Sequence, residues 1–385
     1  MVGFSVSSFV TLFFFACYTK TEKMLSFLVF LLLSFIVSML WAPLLISLLF
    51  KFNLRRRSKE ELDEKVGKHA KKTGTPVMGG ILIVVTVLVL NLLFNNSVLT
   101  YPLLVTLFMG GVLGGIDDLF NTLGHKNVRV AVRRGITPVV SFSGITWSLY
   151  QLVLLPWHAF KEAFRAMGSY RGGFQAHEKF LAQCFIAGGV SFWVYYFFEQ
   201  SALWLPLLGV LEVGFLYPVL LTFSMVFFSN AFSITDGLDG LSGGTHSLAF
   251  LALGIIGLVV DKPGLAIFAA TLVGVELAFL YFNIYPARFQ MSDVGTLPLG
   301  MVFALLAFLL NRELILPIVG VIFVVELLSS FLQVWSVKLR DKRIFKIAPL
   351  HHHFEALGWP ETKITERAWV LSAVFAVMGI LVALL

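Results

Sequence analysis

Stretches of about twenty apolar residues recur from one end of the chain to the other, each closed by a short polar segment. A helix needs about 20 such residues to cross a ~30 Å hydrocarbon core. The pattern predicts an all-α, polytopic integral membrane protein with about ten transmembrane helices. They are placed at 25–50, 76–95, 99–120, 179–198, 209–230, 241–260, 264–284, 294–311, 314–337 and 368–385. The dyad alternation of barrel strands is absent. Residues 4–18, FSVSSFVTLFFFACY, form a shorter apolar run, readable as a signal-like segment, an interfacial helix or a further crossing. The expectation preferred here is an interfacial or poorly ordered N-terminal extension over 1–24, ahead of a single transmembrane domain over 25–385.

Composition sharpens this picture. Of 385 residues 58% are hydrophobic and 13% charged, about half the charged share of a soluble domain. The formal charge of +7 matters less than where it sits. Nine Lys/Arg fall in 51–75, eight in 117–179, one in 285–293 and seven in 338–367, whereas the alternate loops hold only Lys262 and Arg312. Basic loops face the cytoplasm, so these four, and 231–243 with them, are placed inside. Ten spans then leave both ends of the core outside. Basic clusters in such a chain read as topology signals and as contacts to anionic headgroups of membrane lipids, not as nucleic-acid binding. Cys17 and Cys184 lie in apolar runs without a CxxC, which argues against a disulfide framework or a zinc site.

No repeat of 20 to 50 residues and no low-complexity tract interrupts the pattern. One inner loop, about 121–178, is unusually long. Within it WSLYQLVLLPWHAFKEAF is too short and too polar at its end for a span, and is expected to be an interfacial amphipathic helix.

Chemistry gathers on the inner side. Asp117 and Asp118 close the third span; Asp236 and Asp239 lie between the fifth and sixth spans, in SNAFSITDGLDGLSGG; Asp293 lies between the seventh and eighth. Five of eight aspartates thus collect on one membrane face, and the loops 231–243 and 285–293 hold a single Lys/Arg between them. One pair alone could cap a helix or pair with a base; three converging segments point to function. Carboxylates beside lysines and arginines suit Mg²⁺ and phosphoryl transfer, in which metal and bases stabilise phosphate charge. Gly237, Gly240, Gly243 and Gly244 stand where an inner loop enters a helix; they fit close approach to an anion or tight helix packing, and match neither a P-loop nor a Rossmann fingerprint. His351, His352 and His353 cannot all face one side of a helix, which suits a loop or short turn. Without cysteines or an HExxH, phosphate or sugar recognition is preferred to zinc.

On these residues the chain resembles the phospho-N-acetylmuramoyl-pentapeptide-transferase family of bacterial cell-wall synthesis. The resemblance runs from about Lys51 to the C-terminus and is carried by TPVMGG (75–80), GGIDD (114–118), GFQAHEK (173–179), SNAFSITDGLDGL (229–241), FNIYPARFQMSD (282–293) and FKIAPLHHHFEALGWPE (345–361). The last is the most specific. It implies transfer of phospho-N-acetylmuramoyl-pentapeptide from its UDP derivative to undecaprenyl phosphate, giving lipid I and UMP, with Mg²⁺ at the cytoplasmic face of the bacterial inner membrane, and a homodimer. It implies Asp293 as first metal ligand, with Asp117 and Asp118 near the metal or the lipid phosphate. Lys72 and Lys179 would hold the diphosphate and His351, His352 and His353 the nucleotide-sugar phosphates. Asn230, Asp236, Asp239, Asn283 and Thr75 would contribute to substrate binding, while Phe289 is expected to pack. Val77, His177, Ser233 and Ser292 depart from the family pattern, Ser292 standing where the family has glycine, and 121–172 is longer than family usage. A transferase using another UDP-N-acetylhexosamine, which the histidine segment opposes, and a transporter, which the inner-end placement of the acids opposes, are the competing readings.

Overall fold

A computed structural model describes residues 6–55, 74–123 and 176–385, with residues 6–20, 123 and 176 described by their backbone alone. Lys72, most of the basic segment 51–75, most of the long inner loop and its expected amphipathic helix lie outside the described residues.

The described chain is helical apart from one small hairpin. In order come α1 (Val6–Lys51), α2 (Ile81–Phe94), α3 (Tyr101–Leu123), α4 (Ala176–Phe197), β1 (Ala202–Leu205), β2 (Gly209–Glu212), α5 (Leu216–Thr235), α6 (Leu241–Val259) and α7 (Pro263–Asn283). There follow α8 (Asp293–Leu309), a 3-10 turn (Glu313–Ile315), α9 (Leu316–Val319), α10 (Val321–Arg340), α11 (Leu350–Ala356) and α12 (Glu361–Ala383). Among the described residues eight helices are long and apolar enough to cross a membrane: α1 from Thr21, α3, α4, α5, α6, α7, α10 and α12. The spans expected at 76–95 and 294–311 appear as the shorter apolar helices α2 and α8. α1 runs unbroken from Val6 to Lys51, so the apolar run 4–18 lies largely on the same helix as the first expected span.

The span expected at 209–230 is displaced. Residues 209–212 pair antiparallel with 202–205, and the helix begins only at Leu216. LWLPLLGVLEVGFL is as apolar as a span, but Gly209 and Gly214 take positive φ values of 92° and 54° that turn the chain before a helix can start. The consequence reaches the site. Because α5 ends at Thr235, Asn230 and Ser233 ride on its last turns and the loop that follows is short.

α8 is the central post. Every residue from Val294 to Leu309 is buried, and it packs against α3 and α5. A helix apolar all round must be enclosed by protein or lipid; this one is enclosed by its neighbours, so seventeen residues suffice. Its first residue is Asp293. The basic residues of the two opposite loops have structural work. Lys262 Nζ donates to the Leu309 carbonyl (2.5 Å) and Arg312 Nε to the Ala383 carbonyl (2.9 Å), satisfying the last carbonyls of α8 and α12. Arg312 also stacks 4.2 Å over Trp204, whose backbone N–H donates to Glu313, tying the hairpin to the bundle.

Candidate functional site

Four helix ends meet around Asp293. α3 delivers Asp117 and Asp118 at its C-terminal end, α4 delivers Lys179 in its first turn, α5 delivers Ser233 in its last, and α8 begins with Asp293 itself. Lys179 Nζ lies 2.5 Å from Asp293 Oδ2 and 3.4 Å from Asp117 Oδ2. The Ser233 hydroxyl donates to Asp293 Oδ1 at 2.7 Å. Asp118 Oδ2 accepts the Val294 N–H at 2.9 Å, so a carboxylate from α3 satisfies one of the orphan donors that open α8. The Asp117 side chain is only 6% exposed, while those of Lys179 and Asp293 keep 17% and 19%. The cluster is therefore most open to solvent at Lys179 and Asp293.

Glycine makes the approach of α3 to α8 close enough. A Cβ on Gly114 would fall 2.0 Å from the Asp293 carbonyl oxygen, well inside van der Waals contact. Any side chain there would drive Asp117 and Asp118 away from Asp293. GGIDD therefore couples a contact residue to two carboxylates one turn further on.

The segment before Asp293 is held from two sides. Gln290 N–H donates to the Pro76 carbonyl (2.9 Å), while Gly79 and Gly80 donate their N–H groups to the Gln290 and Met291 carbonyls (2.7 and 3.0 Å). TPVMGG is thus zipped along FQMS, with Thr75 beside Pro76. On the other side Asp236 Oδ2 accepts the Ser292 N–H (3.0 Å), while its Oδ1 accepts the Ser242 hydroxyl (2.6 Å). Ser292 adopts φ 59°, ψ −177°, a backbone region almost reserved for glycine. Its side chain accepts the Met78 N–H at 3.3 Å.

Asp239 and Asn283 lie deeper in the same loops. Asp239 Oδ2 accepts the Ala287 N–H (3.0 Å), and its own N–H donates to Glu361 Oε1 (2.6 Å). Asn283, 2% exposed, accepts the Gly240 N–H and donates to the Phe289 carbonyl, both at 2.9 Å. Asn230 donates to Gln183 Oε1 on α4 at 2.8 Å. Phe289 is fully buried against Phe279 and Phe282, as expected of a packing residue.

The histidines form a helix of seven residues whose three rings point to different partners. His351, 1% exposed, is held through its ring Nδ1 (3.0 Å) and its backbone N–H by the Glu326 carboxylate of α10. His352 Nδ1 lies 2.6 Å from Glu355 Oε2, and His353 Nδ1 accepts the Lys346 N–H at 3.1 Å. α11 abuts the aspartate loop: a Cβ on Gly237 would meet His351 Nε2 at 2.1 Å. Asp117, Asp118, Lys179 and Asp293 are therefore brought into one cluster. Asp236 joins it through Ser292, and His351 joins Asp236 through Gly237.

Three contributors escaped the sequence reading. Ser233 stands out only as a departure from the family pattern, Glu326 lies inside an apolar span, and Glu361 is one acid among several near the last span. An acid within a span is itself the signal that could have found Glu326.

The donor set suits a hard divalent cation. Three carboxylates formally outnumber one ammonium by two charges, and carboxylate oxygens are the ligands Mg²⁺ takes. Among the described residues no group of three or more His, Cys, Asp or Glu side chains is disposed to hold a metal ion; the Lys179 ammonium takes the central place between the carboxylates.

The chain is similar to known proteins along most of its length. The model of glycosyl transferase family 4 matches residues 171–311. The chain is 34% identical over 356 residues to the phospho-N-acetylmuramoyl-pentapeptide-transferase of Geobacillus sp. (strain WCH70), covering 91% of this chain and 95% of that one. It is 35% identical over 352 residues to the enzyme of that name from Bacillus mycoides (strain KBAB4), covering 90% and 94%. With that of Oceanobacillus iheyensis it shares 32% over 366 residues, covering 92% and 96%.

Proposed function

The chain belongs to the phospho-N-acetylmuramoyl-pentapeptide-transferase family, and we propose that it carries out that family's reaction in the cleft around Asp293. The reaction transfers phospho-N-acetylmuramoyl-pentapeptide from its UDP derivative to undecaprenyl phosphate and releases UMP, forming lipid I for peptidoglycan synthesis. One observation carries the assignment of the site: Lys179 Nζ between the carboxylates of Asp293 and Asp117, at 2.5 and 3.4 Å. An ammonium held by two acids at a helix-bundle rim is poised to exchange those partners for phosphate oxygens.

A phosphate monoester is largely dianionic near neutral pH, its second pKa being about 6. The lipid phosphate therefore needs no general base. Its oxygen attacks the sugar-linked phosphorus directly, the bond to the bridging oxygen breaks, and UMP leaves with that oxygen. Lys179 binds the diphosphate and offsets charge on it. Asp293 and Asp117 would hold Mg²⁺, and Asp118, with one oxygen given to Val294, supports the start of α8. Bound there, the ion would neutralise phosphate charge and orient the diphosphate. Asp236, Asp239 and Asn283 position the two loops that flank the cleft. The histidine helix, seated on Gly237, serves the nucleotide sugar, and Lys72 joins by resemblance.

A water-soluble nucleotide and a bilayer-bound phosphate can meet only at the membrane boundary, which is where the helix ends are. The basic bias of the loops on that side supports a cytoplasmic face. Purified protein should release UMP from UDP-N-acetylmuramoyl-pentapeptide in the presence of undecaprenyl phosphate. Chelation of divalent metal should stop the release and Mg²⁺ restore it. Turnover with UDP-N-acetylglucosamine alone would transfer the chain to the neighbouring specificity, and ion movement across liposomes without UMP release would favour a transporter.

A further inference from the structure

An apolar concavity, separate from the aspartate cluster, opens beside the histidine helix. α10, α11 and α12 enclose a cavity of about 270 Å³ whose lining includes Leu241, Leu350, Phe354, Ile364 and Ala368. Its open side is formed by Val325 and Leu371, which are 40% and 49% exposed. The charged side chains on the wall are Glu326, committed to His351, and Arg367. None of Asp117, Asp118, Lys179 or Asp293 contributes to it.

The rim is cationic and aromatic. Trp359 stacks on Phe354 with ring centroids 4.8 Å apart. Arg367 Cζ lies 4.6 Å and Lys363 Nζ 4.7 Å from the Trp359 ring centroid. Both cations are exposed in the first two turns of α12, and the exposed Glu366 on that helix pairs with neither. The same helix begins with Glu361, whose carboxylate receives the Asp239 N–H. The rim is therefore at the aspartate end of the bundle, where a span leaves the hydrocarbon. A tryptophan at that level is an interfacial anchor, and paired cations between helix ends are the chemistry that retains acidic headgroups.

We propose that this cavity binds an acidic phospholipid, with one acyl chain in the apolar space and the phosphate at Arg367 and Lys363. The volume, just below the range of drug-sized pockets, takes part of one hydrocarbon chain, and the headgroup stays outside with the cations. Leu350 and Phe354 belong to α11, so an occupying chain packs against the helix that carries the histidines. On the reading that α11 serves the nucleotide sugar, occupancy also steadies that part of the cleft.

The test is binding, measured on the full chain without either substrate, so that its failure leaves the transferase assignment untouched. Protein in nanodiscs of phosphatidylcholine, with and without phosphatidylglycerol, is released into detergent, and bound lipid is counted by native mass spectrometry. Wild type should retain phosphatidylglycerol in preference to phosphatidylcholine. Lys363→Gln together with Arg367→Gln should lose about tenfold or more of that retention, since each surface cation contributes about 1 kcal/mol to an acidic lipid and 1.4 kcal/mol is tenfold. Ala368→Phe, which fills the cavity and leaves both charges, should lose it too. Equal retention of the two lipids would overturn the proposal, as would unchanged retention in both variants. In a separate competition, displacement of bound phosphatidylglycerol by added undecaprenyl phosphate would overturn the proposal and make the cavity a substrate site. A disulfide formed between two copies of a Leu371→Cys variant would make it an interface between chains.

Discussion

Ser292 shows how far one residue can be bent to serve a neighbour. Its φ of 59° with ψ of −177° costs a non-glycine residue about 1–3 kcal/mol, yet its N–H reaches Asp236 and its hydroxyl the Met78 N–H. The strain sits one residue before Asp293, where the backbone must turn sharply so that α8 can begin with that carboxylate. Ser292→Gly should relieve it at the loss of one long hydrogen bond. The variant is expected to be stabilised by about 1 kcal/mol net, read as a raised unfolding midpoint in detergent, with UMP release retained. A lower midpoint would mean that the serine side chain is worth more than its backbone costs. In sequence the position was visible only as a departure from glycine; the dihedral gives that departure its physical meaning. Asp118 teaches the converse. It was legible as an acid of the cluster, but its bond to the Val294 N–H depends on the angle at which α3 meets α8, which no local pattern encodes.

At the scale of elements, the long helices were legible because apolar runs near twenty residues have few other solutions in a bilayer. The hairpin at 202–212 was not, since its residues are as apolar as a span and it is set apart by a tight turn in which Leu207 and Gly209 take φ values of 65° and 92°. Acids and histidines inside spans were the other blind spot. His246 on α6 and Glu276 on α7 are fully buried, with Nδ1 and Oε1 3.5 Å apart, and the His246 ring stacks on Phe232 at 4.2 Å. This pair joins the two helices whose ends carry Gly240 and Asn283, themselves hydrogen-bonded. Among the described residues neither side chain makes a hydrogen bond, and a buried polar group left without a partner costs about 1–3 kcal/mol, whereas replacing both by apolar groups is nearly neutral or stabilising. His246→Leu alone should therefore destabilise the fold by about 1–2 kcal/mol, through the lost Phe232 stacking and Glu276 contact, and adding Glu276→Leu should recover most of the loss. A double variant as unstable as the sum of the singles would show that the two side chains are not coupled.

For the whole molecule, the position of the Asp293 cluster depends on where the helices end. α8, buried along its length, carries Asp293 at its start, and α3, α4 and α5 bring Asp118, Lys179 and Ser233 to that end. The gathering of aspartates on one face could be read from the chain because charged residues must leave hydrocarbon at span ends. Their pairing could not, because it depends on helix rotation and on close contacts such as Gly114 against the Asp293 carbonyl. On the proposed function, this junction of helix ends is the transfer site. UMP release by Asp293→Asn, in protein that inserts and unfolds like wild type, tests it most directly. A general electrostatic centre removed from a phosphoryl-transfer site costs on the order of 10³-fold or more, and turnover is expected to fall at least that far. Release within a few-fold of wild type would contradict the claim and remove Asp293 from the reaction.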